Sequence, residues 1–159
     1  MNSGLVMYDE EFRLIAAICD RLTRDANAKV VFLVDKNGQL IAASGQAQNL
    51  DTTSLASLTA GNVAAMGGLA KLIGEKEFPN QFHEGERESL HMSIVAGRVV
   101  LVVIFDAKSS LGLVRLRVRR ASDELNGIFE SLLNKVAAPG AETPFAEITD
   151  EDIDNLFND

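Results

Sequence analysis

Residues 52–73 read TTSLASLTAGNVAAMGGLAKLI, and the periodicity predicts a single helix. At about 100° per residue, Leu55, Leu58, Met66, Leu69 and Ile73 fall on one stripe, which is the expected core face. The opposite side carries Ser57, Ala60, Gly61, Ala64, Gly67 and Gly68, and the only charge in the segment is Lys71. An ordinary surface helix would present Glu, Lys and Arg there. Ala56, Ala60, Ala64 and Gly68 instead form an unbroken i, i+4 ridge of small side chains. Each internal glycine disfavours a helix by about 1 kcal/mol relative to alanine, and a close neighbour along the bare face would offset that. The neighbour is either another helix or protein, or the interior of the same domain.

Working outward, residues 8–25 read as an amphipathic helix with Phe12, Ile15, Ile18, Cys19 and Leu22 on its inner face and Asp9, Glu10 and Glu11 in its first turn. KVVFLV at 29–34 is a buried strand. Asp35-Lys36-Asn37-Gly38 is a hairpin turn, because Asn-Gly tolerates positive φ, and 39–44 is the returning strand. Asp51, Thr52 or Thr53 can cap the central helix. Past it, 80–84 forms a short strand, and 89–95 and 99–105 are strands joined by a tight turn at Ala96-Gly97-Arg98. VVLVVIF at 99–105 is apolar on both faces and belongs in the middle of a sheet. VRLRVR at 114–119 alternates as a strand would. Even so, Val114, Val118, Ala121, Leu125, Ile128, Phe129, Leu132 and Val136 keep helical spacing, so 111–136 is read as one long helix.

The expected organisation is a domain over 1–136, a linker over 137–147 and an acidic amphipathic segment over 148–159. The linker contains AAPGAETP. In the last segment Thr149 can cap a short helix, Ile148 and Ile153 have hydrophobic-staple spacing, and Ile153, Leu156 and Phe157 share one face. Such a helix is marginal alone and suits folding into a partner's groove. The formal net charge is −8, and seven of the acids lie between Glu142 and Asp159 with no Lys or Arg among them. The body is therefore close to neutral, and nothing marks it as a nucleic-acid binder. No signal peptide or long apolar span is visible, so a cytoplasmic protein is expected.

No catalytic constellation stands out. There is no P-loop pattern. His83 and His91 have no partner at metal-ligand spacing, and Cys19 sits in an apolar stripe as a small core residue. No catalytic residue, metal or cofactor is expected. Arg115, Arg117, Arg119 and Arg120 make a local basic patch. It can steer an acidic partner or form a solvated helix face, and an arginine finger is disfavoured on a helix.

The element order α-β-β-α-β-β-β-α resembles the Roadblock/light-chain-seven fold: a five-stranded antiparallel sheet between one central helix and two flanking helices, here with a C-terminal tail helix added. The segments VVFLVDKNGQLIAASG (30–45), DTTSLASLTAGNVAAMGGLAKLIGE (51–75), FPNQFHEG (78–85), VVLVVIFD (99–106) and SSLGLVRLRVRRASDEL (109–125) are similar to the bacterial members of that family that partner the Ras-like GTPase MglA. The resemblance implies a homodimer whose central helices pack across the two-fold axis and whose strands pair between subunits, two subunits binding one GTPase. It implies GTPase activation without an arginine finger, some assistance to nucleotide exchange, and a role in cell polarity and gliding motility, with the dimer concentrated at a cell pole. The bare face (Ala56, Ala60, Ala64, Gly67, Gly68 and Lys71) would then be shared between dimer mate and GTPase, and the tail residues Ile153, Leu156 and Phe157 would contact the partner. The alternative is a Roadblock scaffold that binds a small GTPase without accelerating hydrolysis.

Overall fold

The computed structural model describes residues 9–137. The elements in order are α1 (Asp9–Asp25), β1 (Val30–Asp35), β2 (Leu40–Gly45), α2 (Thr52–Leu72), β3 (Asn80–His83), β4 (Ser89–Val95), β5 (Val99–Phe105) and α3 (Leu111–Ala137). All strands pair antiparallel in one sheet of order β2-β1-β5-β4-β3, with β5 at the centre as its two-sided apolar sequence requires. The expected element order and the long helix over VRLRVR are both found.

Strand side chains alternate between the two faces. Val31, Leu33, Val99, Leu101, Val103 and Phe105 pack against α1 and α3, through Ile15, Ile18, Leu22, Val118, Leu125 and Phe129. Val30, Phe32, Val34, Met92, Val100 and Val102 form a second, smaller core with Ala56 of α2. The sheet is thus sandwiched between two helices on one side and one on the other.

Local chemistry sets the ends. Asp51 caps α2, its carboxylate accepting from the Ser54 N–H at 3.1 Å and from the Ser54 hydroxyl at 2.6 Å. In the Asp35–Gly38 turn only Gly38 has positive φ, at 91°. Asn37 does not, because the buried Asp35 carboxylate holds the turn by accepting from the Asn37 and Gln39 amides at 2.9 and 3.0 Å. The turn with positive φ at both central residues is the other one, at Ala96 (55°) and Gly97 (66°). Gly45 has φ +89°, and a Cβ there would lie 2.3 Å from the Lys29 carbonyl oxygen. Gly45→Ala should therefore destabilise the fold by at least about 2 kcal/mol, lowering Tm by about 6 °C or more in thermal unfolding.

Two expectations about inner faces are corrected. Phe12 of α1 is exposed, and Glu11 takes its place inside. Glu11 continues the 15, 18, 22 stripe, and its carboxylate is paired with the Lys135 ammonium from the last turn of α3. The bond from Lys135 outweighs burial and holds the Glu11 carboxyl below its ordinary value of 4.5. A depressed carboxylate pKa stabilises the fold above the unfolded value, and that contribution is lost as pH falls through the folded value. Glu11→Gln should accordingly flatten the acid limb of Tm against pH below about 4.5, where the parent protein loses this pair.

The larger correction concerns α2. Its buried residues are Ala56, Thr59 and Ala70, while Leu58 (71% exposed), Leu69 (46%), Leu72 (84%) and Ile73 (65%) face outward. The helix lies on the sheet by small residues, because Phe32, Val34, Val100 and Met92 already fill the space beneath it. The expected core stripe is instead an exposed apolar strip, and only Leu55 and Met66 of that stripe turn partly inward.

Candidate functional site

The small residues of α2 form one wall of a groove. Ala60, Ala64, Gly67, Gly68 and Lys71 all line it, and its volume is about 350 Å³. The facing wall comes from the segment after α2 and from the sheet end, through Lys76, Glu77, Phe78, Gln81 and Ile94, with Lys36 from the β1–β2 turn. Lys36 and Glu77 pair at 3.5 Å within that wall. Lys71 and Lys76 add positive charge, so the groove has an apolar floor and a basic rim.

Gly61, Gly67 and Gly68 have open space where a Cβ would stand, with no atom within 4 Å. Nothing inside the domain requires these glycines. What they provide is exposed helix backbone that another molecule can approach closely. Gly74, just past the helix, has φ +88° and turns the chain toward the Phe78-Pro79 segment that closes the groove.

Of the six residues assigned to the bare face, five line the groove and Ala56 does not. Ala56 is buried in the core under α2, because the ridge through 56, 60, 64 and 68 winds around the helix from its inner to its outer side. Lys36, Lys76, Phe78 and Gln81 were not singled out in the sequence. They lie in turns and an edge strand, where no periodicity points to a shared surface, although the FPNQF stretch belongs to one of the segments that carry the family resemblance.

The arginines lie on the other face of the sheet, on α3, and divide between two surroundings. Arg117 and Arg120 face α1 beside Arg21 and Asp25, and Arg120 pairs with Glu124 at 3.5 Å, which also binds Arg21. Arg115 and Arg119 line a separate cavity over β4. None of the four lines the groove beside α2, although the cavity holding Arg115 and Arg119 adjoins it at Ile94. Ile153, Leu156 and Phe157 lie outside the described residues.

Cys19 is buried, and burial, with the charge of Asp20, pushes its thiol up to about 12. It is a core residue and not a nucleophile at neutral pH. His83 is exposed on the edge strand, 3.3 Å from Gln81 Oε1. His91 is buried, because α3 covers that part of β4. Among the described residues no group of three or more His, Cys, Asp or Glu is arranged to hold a metal ion, and no helix is long and apolar enough to cross a membrane.

The Roadblock/LC7 domain family matches residues 14–105. The structure is similar to that of Myxococcus xanthus MglB, with 79% sequence identity, a TM-score of 0.76, and coverage of 80% of this chain and 96% of that one. It is also similar to the gliding protein MglB of Thermus thermophilus, with 32% identity, a TM-score of 0.77, and coverage of 82% and 99%. An MglB solved in a tetrameric arrangement matches at 30% identity and a TM-score of 0.77, covering 82% of this chain and 98% of that one.

Proposed function

Because this chain belongs to the Roadblock/LC7 family, we propose that it is a GTPase-activating protein for a small Ras-like GTPase of the MglA type, acting as a homodimer without an arginine finger of its own. The groove beside α2 carries this reading. Its wall is helix backbone bared by Gly67, Gly68 and Ala64, its floor is apolar and its rim is basic. Those features suit close docking of a protein surface better than turnover of a small molecule, for which convergent titratable groups would be needed.

The exposed strip of Leu58, Leu69 and Leu72 lies beside the groove on the same helix. A second copy covering that strip would build one continuous platform from two α2 helices, with two subunits engaging one GTPase. The exposed edge strand β3 offers backbone groups for pairing between subunits. The tetrameric arrangement of a related MglB supports assembly of more than one copy.

Acceleration would arise in the partner. A docked surface that binds the catalytically ordered state of the GTPase more tightly than its relaxed state shifts the population toward the former. The GTPase then uses its own arginine and glutamine. The position of Arg115, Arg117, Arg119 and Arg120 on the opposite face of the sheet favours this over a finger supplied in trans. Similarity to MglB supports a role in cell polarity and gliding motility, with the dimer gathered at a cell pole in the cytoplasm. The acidic segment 148–159, with Ile153, Leu156 and Phe157, would add affinity from outside the groove and assist nucleotide exchange.

Single-turnover GTP hydrolysis by purified MglA tests this, with and without the protein. A rise of tenfold or more, about 1.4 kcal/mol off the barrier, is expected. A chain ending at Pro139 should need higher concentration to reach the same rate. Binding with no acceleration would instead identify a scaffold.

A further inference from the structure

A second cavity lies on the other face of the sheet, between α3 and the β3–β4 edge, with a volume of about 410 Å³. His91 and Ser93 of β4 and Asn80 of β3 line one side of it, and Arg115, Arg119 and Asp123 of α3 line the other. The strand register explains this grouping. Asn80 pairs with Ser93, and His91 and Ser93 pair with Val103 and Leu101, so all three polar residues point to the α3 face.

That face is otherwise apolar core, which makes a buried histidine and serine there unexpected on packing grounds. His91 is buried, and its Nδ1 has no hydrogen-bond partner. Buried polar atoms ordinarily have a hydrogen-bond partner, and the cavity lined by this residue is where one would stand. The Ser93 hydroxyl donates to Asn80 Oδ1 at 2.8 Å, which engages the amide oxygen and leaves the amide N–H groups to donate elsewhere. Arg115 and Arg119 stand one helical turn apart and have no ion-pair partner among the described residues. Asp123 offsets one of the two charges, leaving one positive charge in excess. Burial, reinforced by Arg115, holds the His91 ring below the ordinary histidine range, so the site has an uncompensated cation beside a neutral imidazole.

We propose that this cavity binds a phosphoryl group, free or carried on a small organic ester. Two guanidiniums on one wall, with an amide and an imidazole on the other, supply donors for an anion with more than two acceptor oxygens. A carboxylate would leave part of that donor set unused. The volume exceeds what inorganic phosphate needs and falls in the range of small-ligand pockets. The site adjoins the groove beside α2 at Ile94, but none of its polar residues lines that groove, so it stands or falls independently of the GTPase reading.

The test is an NMR titration of the full-length protein, following the His91 ring signals. His83, the other of the chain's two histidines, serves as internal reference. Inorganic phosphate, glycerol phosphate and acetate are added in separate arms. Saturable movement of His91 with phosphate or glycerol phosphate is expected, and the tighter of the two identifies the free ion or the ester as the source. Arg115→Gln and Arg119→Gln should each weaken binding by about tenfold or more, whereas Arg120→Gln, the same charge change beside Glu124, should leave it within about twofold. Both cavity arginines are exposed, so these variants should keep the parent Tm. The proposal is overturned if His91 does not respond to either phosphate compound, if acetate binds as tightly, or if Arg120→Gln weakens binding as much as the other two.

Discussion

Arginine at position 64 or 68 is expected to abolish GTPase binding and stimulated hydrolysis while leaving the domain folded. Both positions are exposed on α2 and line the groove. A Cβ added at Gly68 meets no atom within 4 Å, and both positions open to solvent, so the fold tolerates a longer side chain there. A docked partner does not. A helix contact close enough to use bare backbone leaves no space for a guanidinium stem, and desolvating an unpaired charge adds several kcal/mol. Affinity should fall by more than about a hundredfold, or about 2.7 kcal/mol. Calorimetric titration against the GTP-bound partner and single-turnover hydrolysis measure this directly. Thermal unfolding of Ala64→Arg and Gly68→Arg should match the parent within a few degrees. Ala56→Arg provides the contrast, since Ala56 is packed under the helix and an arginine there should unfold the domain by overpacking and by burying a charge. If Gly68→Arg stimulates hydrolysis normally, the groove is not the docking surface.

The second large effect concerns assembly. Leu58, Leu69 and Leu72 form an exposed apolar strip on α2, and they lie within about 60° of one another around the helix. Three exposed leucines on one strip are an unsatisfied surface that a second copy would cover. In a two-fold contact each substitution is felt twice. Burying a leucine contributes roughly 1.5–3 kcal/mol. Leu69→Glu with Leu72→Glu should therefore weaken the dimer by at least about 4 kcal/mol, about a thousandfold in dissociation constant. Sedimentation at micromolar concentration should show a folded monomer. GTPase stimulation should fall with it, because the platform needs both α2 helices. A double variant that still sediments as the parent does would move the dimer contact elsewhere.

Much of this protein is legible in one dimension. Strand alternation and turn chemistry placed every strand, since period-two patterning and the Gly38 and Gly97 turns are local properties. The apolar run 99–105 marked the sheet centre because only a strand buried on both faces tolerates it. The long helix read over 111–136, which the structure carries to Ala137, followed from six turns of helical spacing that outweighed a short strand-like alternation. The small-residue character of α2 also marked Ala56, Ala60, Ala64, Gly67 and Gly68 as one bare face, of which all but Ala56 line the groove, since glycines inside a helix need a reason.

Tertiary structure decided the rest, above all which way α2 faces. Both of its sides are apolar, one large and one small, so periodicity alone cannot orient it. The space left above Phe32, Val34 and Val100 orients it: that space admits alanine and threonine and turns the leucines out to solvent. Glu11 lies inside because Lys135, far along the chain, meets it there. The groove gathers Lys36, Lys76 and Phe78 from separate loops, and the opposite cavity sets His91 facing Arg115 only because β4 runs beneath α3. Sequence determined the elements and their order, because those depend on neighbours a few residues apart. The sites depend on which distant residues share a surface, and only packing settles that.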